Sequence, residues 1–427
     1  MRLRLFCALA ILIGSAAAQD PANQAKDKQL NLQGDRFKGL PYDEMTPAQK
    51  VIADRTLAGG RGGIGIFNIT LRSPELSDAM RGVIGRGAGS PISAKQGELT
   101  ILLNGRFWST QYEWAIHHRV AAQAGLSEAT IAAIAEGRRP ASLQPDEEFV
   151  YSFFTELLNT KQVSDATFQA AKDKVGERGI VDMIGVAGSY QTVSLMMNVD
   201  RYPLQTNQTA ELKPLEKPVP YTPGPISNNA PAGAATQGER LKPLTSEEMT
   251  PQQKALMDQL LSGKLEGGTT GAVNALLRSP DLAAATLRYG AYVRFHSPLS
   301  DKLNDLATLI TTRYWTSQFP WYTHHRAAVQ AGLRESIITS IAEGNRPASM
   351  QPDEQAVYDF SAELFRTKQV SDATFNAAKM ALGERGVVEL MGLLGYYQTV
   401  SMLLNIDRYP LPAGVQPELK PLANPIP

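Results

Sequence analysis

The pattern of apolar residues along this chain is helical almost throughout. Apolar positions recur at three- and four-residue spacing, whereas the alternating pattern of strands is scarce. The segment 177–198 shows the helical spacing at Ile180, Met183, Ile184, Ala187 and Leu195. It predicts a long buried helix, and the segments 95–108 and 112–124 predict two further helices. We therefore expect an all-α protein.

Polar residues and glycines indicate where several of these helices begin and end. Ser73 stands before Pro74, as an N-cap residue stands before a proline in the first helical turn. Ser127 begins the segment SEATIAAIAEG, and Gly137 is a typical stop for the helix that this segment predicts. Ser164 begins the segment SDATF, where we expect another helix to start.

Much of the sequence occurs twice. IAEGRRPASLQPDE returns as IAEGNRPASMQPDE, and QTVSLMMNVDRYPL returns as QTVSMLLNIDRYPL. ELKPL occurs at Glu211 and again at Glu418. From the histidine pairs onward, equivalent residues lie 207 positions apart, and we call them matched residues. A repeat of this length predicts two tandem copies of one helical domain rather than a solenoid.

The repeat also predicts the domain boundaries. The first copy spans 40–204 and the second spans 244–411, separated by a linker at 205–243 and followed by a proline-rich tail at 412–427. The linker is rich in proline, asparagine and alanine and has few large apolar residues, so we expect an extended connection rather than a third domain. Parts of the linker and of the tail are expected to lie along a domain surface.

The N-terminal residues 1–18 have the features of a secretory signal. Arg2 and Arg4 provide the positive start, an apolar run of ten residues follows, and AAA stands before Gln19 as a cleavage site. Such a run is too short to span a bilayer as an ordinary helix, so we expect export to a periplasm or to the outside. The sole cysteine of the chain is Cys7, within this segment. The processed chain would therefore have no disulfide, no cysteine nucleophile and no Cys-ligated zinc.

The charge balance bears on the partners of the protein. Lysine and arginine together number 42, as do aspartate and glutamate, so the formal net charge is zero. No basic block occurs, which argues against nucleic acid as a partner. We also expect no membrane association once the signal is cleaved. A small-molecule substrate is the partner that remains.

Histidines are rare in the chain and occur in a specific place. Four of the five lie in two matched segments, STQYEWAIHHR and TSQFPWYTHHR. On a helix, His117 shares a face with Glu113, and His118 shares a different face with Trp114. The two histidines therefore point in different directions. We expect one to serve a pocket and the other to pack on Trp114 or to lie at an interface.

An upstream helix provides another acid. Glu98 lies on one stripe of the predicted helix 95–108, from which it can meet His117 across a helix–helix contact. A carboxylate beside an imidazole orients the ring and supports proton transfer near neutral pH. Arg106 and Arg119 are candidates for holding a substrate carboxylate. The sequence leaves open whether Glu98 or Glu113 faces His117, and adjacent histidines are also common as plain core or interface residues.

The residues around the histidine pairs form a recognisable pattern. The first copy has it at Glu98, Thr110, Glu113 and His117, followed by AAQAGLSEATIAAIAEG, and the second at Asp305, Ser317, Pro320 and His324, followed by AAVQAGLRESIITSIAEG. This pattern resembles that of the carboxymuconolactone decarboxylase and alkylhydroperoxidase D superfamily, and YEWAIHH is similar to its decarboxylase branch. The resemblance covers most of each copy. It implies two tandem alkylhydroperoxidase D-like helical domains.

The resemblance also implies a chemistry. The decarboxylase branch converts a lactone acid to an enol-lactone with loss of CO2 and without a cofactor, which implies proton transfer at His117 assisted by Glu98 or Glu113. The peroxidase branch uses a Cys-x-x-Cys pair, whose positions here are Thr110 and Glu113. Neither side chain can form the sulfenate or disulfide that peroxide reduction requires, so a thiol peroxidase is disfavoured. Because the chain has export features, muconolactone itself is a doubtful substrate.

The second copy is less well equipped than the first. It keeps His324 but has Asp305 in place of Glu98 and Pro320 in place of Glu113. We therefore expect a weaker second site or a scaffold. The remaining substrate-binding candidates are the aromatic residues Trp114, Tyr190 and Tyr397 and the matched arginines Arg313 and Arg326. Relatives in this superfamily form trimers or hexamers, so a trimer of this chain would be a pseudo-hexamer.

Two alternatives differ in class from a cofactor-free lyase or isomerase. The first is a non-catalytic helical module that binds a ligand or supports an oligomer. The second is metal-dependent chemistry through Glu113 and His117, which is weaker because two ligands are too few for a usual zinc site. We expect neither a metal nor a cofactor.

Overall fold

The computed structural model describes residues 20–60, 63, 65–83, 89–215, 240–264 and 270–422. Within these ranges the regular structure is helical and no strand occurs, which confirms the predicted all-α class. The predicted signal segment lies outside the described residues, as do positions 216–239 of the predicted linker and the last five residues of the tail.

Nine helices are described in the N-terminal half of the molecule. They are α1 Pro21–Leu30, α2 Pro47–Ala58, α3 Phe67–Thr70, α4 Pro74–Ala79, α5 Ala94–Trp108, α6 Gln111–Gln123, α7 Glu128–Ala135, α8 Pro145–Thr160 and α9 Asp165–Asp200. A 3-10 turn, Tyr42–Glu44, precedes α2. We use the term N-terminal half for α1 to α9 together with the segment up to residue 215.

Eight helices are described in the C-terminal half, which begins at residue 240. They are α10 Pro251–Leu261, α11 Ala272–Leu276, α12 Pro280–Ala291, α13 Asp301–Trp315, α14 Gln318–Gln330, α15 Glu335–Ala342, α16 Pro352–Thr367 and α17 Asp372–Asp407. A π-helical turn, Tyr292–His296, continues α12. From α5 onward each helix of the first half has a matched helix of the same length in the second half, α13 to α17.

The two longest helices, α9 and α17, both bend, and α9 begins as predicted. The Ser164 hydroxyl accepts a hydrogen bond from the backbone N–H of Thr167, so it caps the start of α9. The helix breaks at Gly176, where φ is 67° and ψ is 178°. Gly383 breaks α17 in the same way, with φ at 73° and ψ at 171°. Only glycine adopts this region readily, so these two residues fix the position of the bends.

The contact between α9 and α17 joins the two halves. The helices approach closely because glycines face threonines, Gly188 against Thr399 and Gly395 against Thr192. A single hydrophobic core then runs through both halves. α17 is long and apolar enough to cross a membrane, but its most apolar window is wholly buried inside the protein. Packing against α9, α13 and α16 accounts for that apolar character here.

Two arginines fasten the start of each half to the other half. Arg36 precedes α2, yet its guanidinium group donates hydrogen bonds to Asp372 at 2.8 Å and to the carbonyl of Val370 at 2.7 Å, at the start of α17. Arg240 makes the same contacts at the start of α9, reaching Asp165 at 2.7 Å. The segments that lead into the two halves therefore cross over, each bound to the long helix of the other half.

Candidate functional site

The predicted contact between Glu98 and His117 is present. Nδ1 of His117 donates a hydrogen bond of 2.8 Å to Oε2 of Glu98, across the contact between α5 and α6. The two side chains are 16% and 15% exposed, so the pair is sheltered but not sealed from solvent. The sequence left open which of Glu98 and Glu113 faces His117. In the structure Glu98 is the acid that contacts the imidazole.

Local structure explains why these two helices bring the pair together. α5 starts at a capping box in which the Ser93 hydroxyl and the side chain of Gln96 each bond the backbone of the other residue. It ends at Ser109, whose φ of 53° is left-handed, and α6 starts two residues later. This tight turn reverses the chain. The first half of α5, which contains Glu98, therefore meets the middle of α6, where His117 lies.

Tyr190 of α9 completes the surroundings of His117. Its ring packs edge-on against the imidazole, with 4.9 Å between centroids and an interplanar angle of 86°. Burial raises the pKa of Tyr190 above its ordinary value, and the carboxylate of Glu98 adds to that effect. The phenol is therefore neutral at physiological pH. Among the described residues, none forms a hydrogen bond with Nε2 of His117, so this nitrogen is available.

The C-terminal half repeats the arrangement with one difference. Nδ1 of His324 donates to Oδ1 of Asp305 at 2.7 Å, and the ring of Tyr397 packs edge-on at 4.9 Å. Here, however, the Tyr397 hydroxyl is 2.9 Å from Nε2 of His324, to which it donates a hydrogen bond when the ring is neutral. Both ring nitrogens of His324 are therefore engaged, whereas Nε2 of His117 has no partner in the part of the chain that the structure describes.

The carboxyl group of Glu113 binds Ser194 rather than His117, so it is not a second acid on that histidine. Its carboxyl group is buried, and Oε2 accepts a hydrogen bond of 2.8 Å from the Ser194 hydroxyl. Burial raises its pKa well above the ordinary value, although the Ser194 hydrogen bond opposes this. Burial therefore favours the protonated form of the Glu113 carboxyl group. Its matched residue is Pro320, and the matched hydroxyl of Ser401 is buried with no hydrogen-bond partner in the described structure.

The second histidine of each pair binds carboxylates other than the one that holds the first histidine. Nδ1 of His118 lies 2.7 Å from Glu211, and Nε2 lies 2.9 Å from Glu128. Burial lowers the pKa of His118, but the two carboxylates outweigh it and raise the pKa overall. The Trp114 ring packs edge-on against His118, as predicted, and its indole N–H donates to Glu211 at 2.8 Å. In the C-terminal half, His325 and Trp321 bind Glu418 in the same way.

The repeated ELKPL segments are the elements that these side chains hold. Residues 211–213 run in extended form along α5 and α6, where the side chain of Gln111 bonds both the N–H and the carbonyl of Leu212. Arg106 is buried and donates to the Lys213 carbonyl at 2.6 Å, and its matched residue Arg313 donates to the Lys420 carbonyl at 2.7 Å. These arginines were expected to hold a substrate carboxylate. In the structure they bind the main chain of the two ELKPL segments instead.

Arg119 and Arg326 also lie away from the histidine–carboxylate pairs. Arg119 is exposed on the side of α6 opposite His117 and faces the segment 205–211. Arg326 is exposed as well, and it donates to the hydroxyl of Tyr322 at 2.8 Å. The structure thus brings together His117, Glu98 and Tyr190, while the arginines serve other surfaces.

Glu211 and Glu418 are site residues that sequence reasoning did not identify. They bind the second histidines from 93 residues further along the chain, and the signal that marks them is the repetition of ELKPL next to regions of low complexity. Among the described residues, no group of three or more histidine, cysteine, aspartate or glutamate side chains is placed to hold a metal ion.

Comparison of the chain with family models, with curated proteins and with solved structures finds no match. The geometry of the two histidine sites must therefore carry the functional argument.

Proposed function

We propose that this protein is a tandem duplication of a carboxymuconolactone decarboxylase-like domain, and that its N-terminal half is a cofactor-free lyase or isomerase. The substrate class is a small carboxylated or lactone compound. Three observations support the proposal: the sequence pattern around the histidines, the equal lengths of the matched helices, and the recurrence of a histidine–carboxylate–tyrosine group in both halves.

The observation that carries the proposal is the hydrogen bonding of His117. Its Nδ1 is held by Glu98, which fixes the ring and selects the tautomer with the lone pair on Nε2. Nε2 has no partner among the described residues, so it can take a proton from a bound molecule and return it. A carboxylate that holds one nitrogen of an imidazole while the other faces a reactant is the arrangement of a general acid–base catalyst.

The reaction step can be written with this group alone. When a carboxylated lactone loses CO2, the electron pair of the broken C–C bond remains on the carbon, in conjugation with the lactone. Protonated His117 delivers a proton to the substrate from Nε2. Glu98 stabilises the imidazolium before the transfer and accepts a hydrogen bond from Nδ1 of the neutral ring after it. Related isomerisations need the same exchange of one proton. No redox partner or thiol takes part.

The C-terminal half is the weaker site in this proposal. Tyr397 occupies Nε2 of His324, so a substrate must displace a hydrogen bond before it reaches the nitrogen. Pro320 removes the buried acid and leaves Ser401 without its partner. We infer that this half has kept the architecture of the site while losing part of its chemistry.

The setting of the enzyme is also part of the proposal. The features of residues 1–18 support export, and the described residues contain no cysteine, which disfavours thiol-based peroxidase chemistry. By resemblance to trimeric and hexameric relatives, three chains would form a pseudo-hexamer.

The test begins with a thermal-shift screen of small lactones and aromatic ring-cleavage acids. Any compound that raises the melting temperature is then incubated with the protein, and CO2 release and proton exchange are measured. His117→Gln should abolish turnover, because glutamine cannot exchange a proton near neutral pH. The matched variant His324→Gln should retain most of it.

The competing hypothesis is a non-catalytic helical module. It predicts that the bound compound is recovered unchanged and that His117→Gln and His324→Gln behave alike. Because both variants keep side chains of similar shape, circular dichroism and the oligomeric state should match the wild type in either case. Unaltered turnover in folded His117→Gln would rule out the catalytic assignment.

A further inference from the structure

A polar cleft lies on the opposite side of α6 from His117. Its volume is about 250 Å³, room for roughly eight water molecules. α6 contributes Ala115 and Arg119, which stand two residues before and after His117 and are turned away from it because each residue rotates by about 100°. The rest of the lining consists of Ile116, Gln205, Asn207, Gln208, Thr209 and Glu211.

The C-terminal half fills the equivalent place with its own side chains. Tyr322 is matched to Ala115, and its ring lies under the guanidinium group of Arg326, 5.6 Å from the centroid. Arg326 also donates a hydrogen bond of 2.8 Å to the Tyr322 hydroxyl. In the N-terminal half, Ala115 leaves this space open. Arg119 has no hydrogen bond or ion pair with any residue that the structure describes.

The chain segment beside the open cleft also differs from the matched segment in the C-terminal half. At three positions the segment of the N-terminal half carries amide side chains where the C-terminal tail has none, although the tail has Gln416 at the position matched to Thr209. The amide residues are Gln205, Asn207 and Gln208, and their matched residues are Pro412, Gly414 and Val415. The half with the open cleft and the unpaired arginine is thus also the half that provides polar groups around it.

We propose that this cleft binds a small hydroxylated carboxylate, such as a sugar acid. The guanidinium group of Arg119 offers two parallel N–H donors to a carboxylate. Oε2 of Glu211 is already used by Trp114 and His118, which leaves Oε1 to accept from a ligand hydroxyl. The amides of the segment both donate and accept, as recognition of several hydroxyls requires. The small volume and the polar lining exclude a large apolar ligand.

This site is independent of the chemistry proposed for His117. It uses the other side of α6, and it can be occupied whether or not His117 and Glu98 are catalytic. It also gives Arg119 a ligand-binding role without requiring that arginine to reach the imidazole.

Calorimetric titration of the whole protein at low ionic strength tests the proposal. The probes are gluconate, glucuronate and tartrate, with sorbitol as a polyol that lacks the carboxylate and acetate as a carboxylate that lacks hydroxyls. At least one of the three hydroxy acids should bind saturably at one site per chain, at least about tenfold more tightly than sorbitol or acetate. Absence of saturable binding by all three, or equal binding of sorbitol or of acetate, would overturn it.

Variants locate the site. Ala115→Tyr introduces the ring that the other half carries, so binding should fall at least about tenfold, and Arg119→Gln should remove the preference over sorbitol. Tyr322→Ala is the matched control: it opens the equivalent place, where the three amides have no counterpart, so the stoichiometry should stay at one. Undiminished binding in folded Ala115→Tyr contradicts the assignment, and a second equal site in Tyr322→Ala contradicts the role of the amides.

Discussion

Lys161 and Lys368 place their ammonium nitrogens against the same two aromatic rings, Phe107 and Tyr314, where the two halves meet. The distances from each nitrogen to the ring centroids lie between 4.7 and 4.9 Å. Each lysine follows the last residue of a long helix, α8 or α16, in a left-handed conformation. The interface therefore brings two half-buried amino groups into one aromatic environment, where ring faces attract a cation but hydration is reduced.

This lysine pair should make stability depend on pH. Burial lowers the pKa of Lys161 from 10.5 to about 7, and burial together with the charge of Lys161 lowers the pKa of Lys368 well below its ordinary value. Between pH 7 and pH 10.5 the unfolded chain binds more protons at Lys161 than the folded one, so the free energy of unfolding rises with pH. Lys161→Met should flatten this rise and stabilise the protein below pH 7.

Urea unfolding at several pH values measures the effect. Lys28→Met is the control, because Lys28 is an exposed residue of α1 and its removal should leave the slope unchanged. If the curves of wild type and Lys161→Met run parallel across the whole range, the buried pair does not titrate as we expect.

The contact between His118 and Glu211 should give stability the opposite pH dependence. The pKa of His118 is raised above 6.5 in the folded protein, because the carboxylates of Glu128 and Glu211 outweigh burial. The stabilisation is fully present below pH 6.5 and is lost as the pH rises through the folded pKa. Glu211→Gln should cost about 1 kcal/mol at low pH, a modest value because the pair is partly exposed, and less at high pH.

A double-mutant cycle with His118→Gln isolates this contact. Once His118 is replaced, the further change Glu211→Gln should have little pH-dependent effect. A coupling free energy that is the same on both sides of the histidine titration would contradict the proposed ion pair.

Chemical modification should distinguish the two histidine sites without any knowledge of the substrate. Diethyl pyrocarbonate reacts with an unprotonated imidazole nitrogen, and His117 has Nε2 available whereas Tyr397 covers Nε2 of His324. We expect His117 to react severalfold faster than His324, as read by mass spectrometry of the modified peptides. Tyr397→Phe, which removes only the hydroxyl, should raise the rate at His324 severalfold. Tyr190→Phe is the matched control and should leave His117 nearly unchanged.

The close approach of α9 and α17 should not tolerate a methyl group. A Cβ atom at Gly188 would lie 2.1 Å from Oγ1 of Thr399, well inside van der Waals contact. Gly188→Ala should therefore lower the free energy of unfolding by about 1–3 kcal/mol, in the range typical of overpacked cores. Gly59→Ala is a control at an exposed helix end with φ of −77°, and it should change stability by less than about 0.5 kcal/mol. Equal effects of the two changes would show that the halves can separate slightly at little cost.

The helices of the site were predictable because their signals are local. The expected segment 112–124 is observed as α6, Gln111–Gln123, and 95–108 is observed as α5, Ala94–Trp108. Helical spacing of apolar residues defines such elements without knowledge of their neighbours. The position of Glu98 on one stripe of α5 made its contact with His117 possible, but only the structure decided between Glu98 and Glu113.

Other features depend on partners that are distant in sequence, and local patterns do not encode them. Ser73 stands before α4 as predicted, but its hydroxyl bonds Glu389 of α17 instead of capping the helix. The hydrogen bond from Arg106 to the Lys213 carbonyl also depends on a distant partner, since it joins residues 107 positions apart. α1 was not predicted because its residues are largely polar, and contacts such as that of Lys26 with Tyr42 and Asp54 hold it in place.

The crossed arginine contacts constrain how a nascent chain reaches this structure. Arg36 and Gly188 of α9 are synthesised before their partners in the C-terminal half. Asp372, which binds Arg36, and Thr399, which packs against Gly188, are translated only near the end. At about 5–20 residues per second, the roughly 200 residues between Gly188 and Thr399 alone take about 10–40 s to synthesise. Throughout that interval a long apolar surface lacks its counterpart. The N-terminal half must therefore be shielded or kept unfolded until the last helix is made.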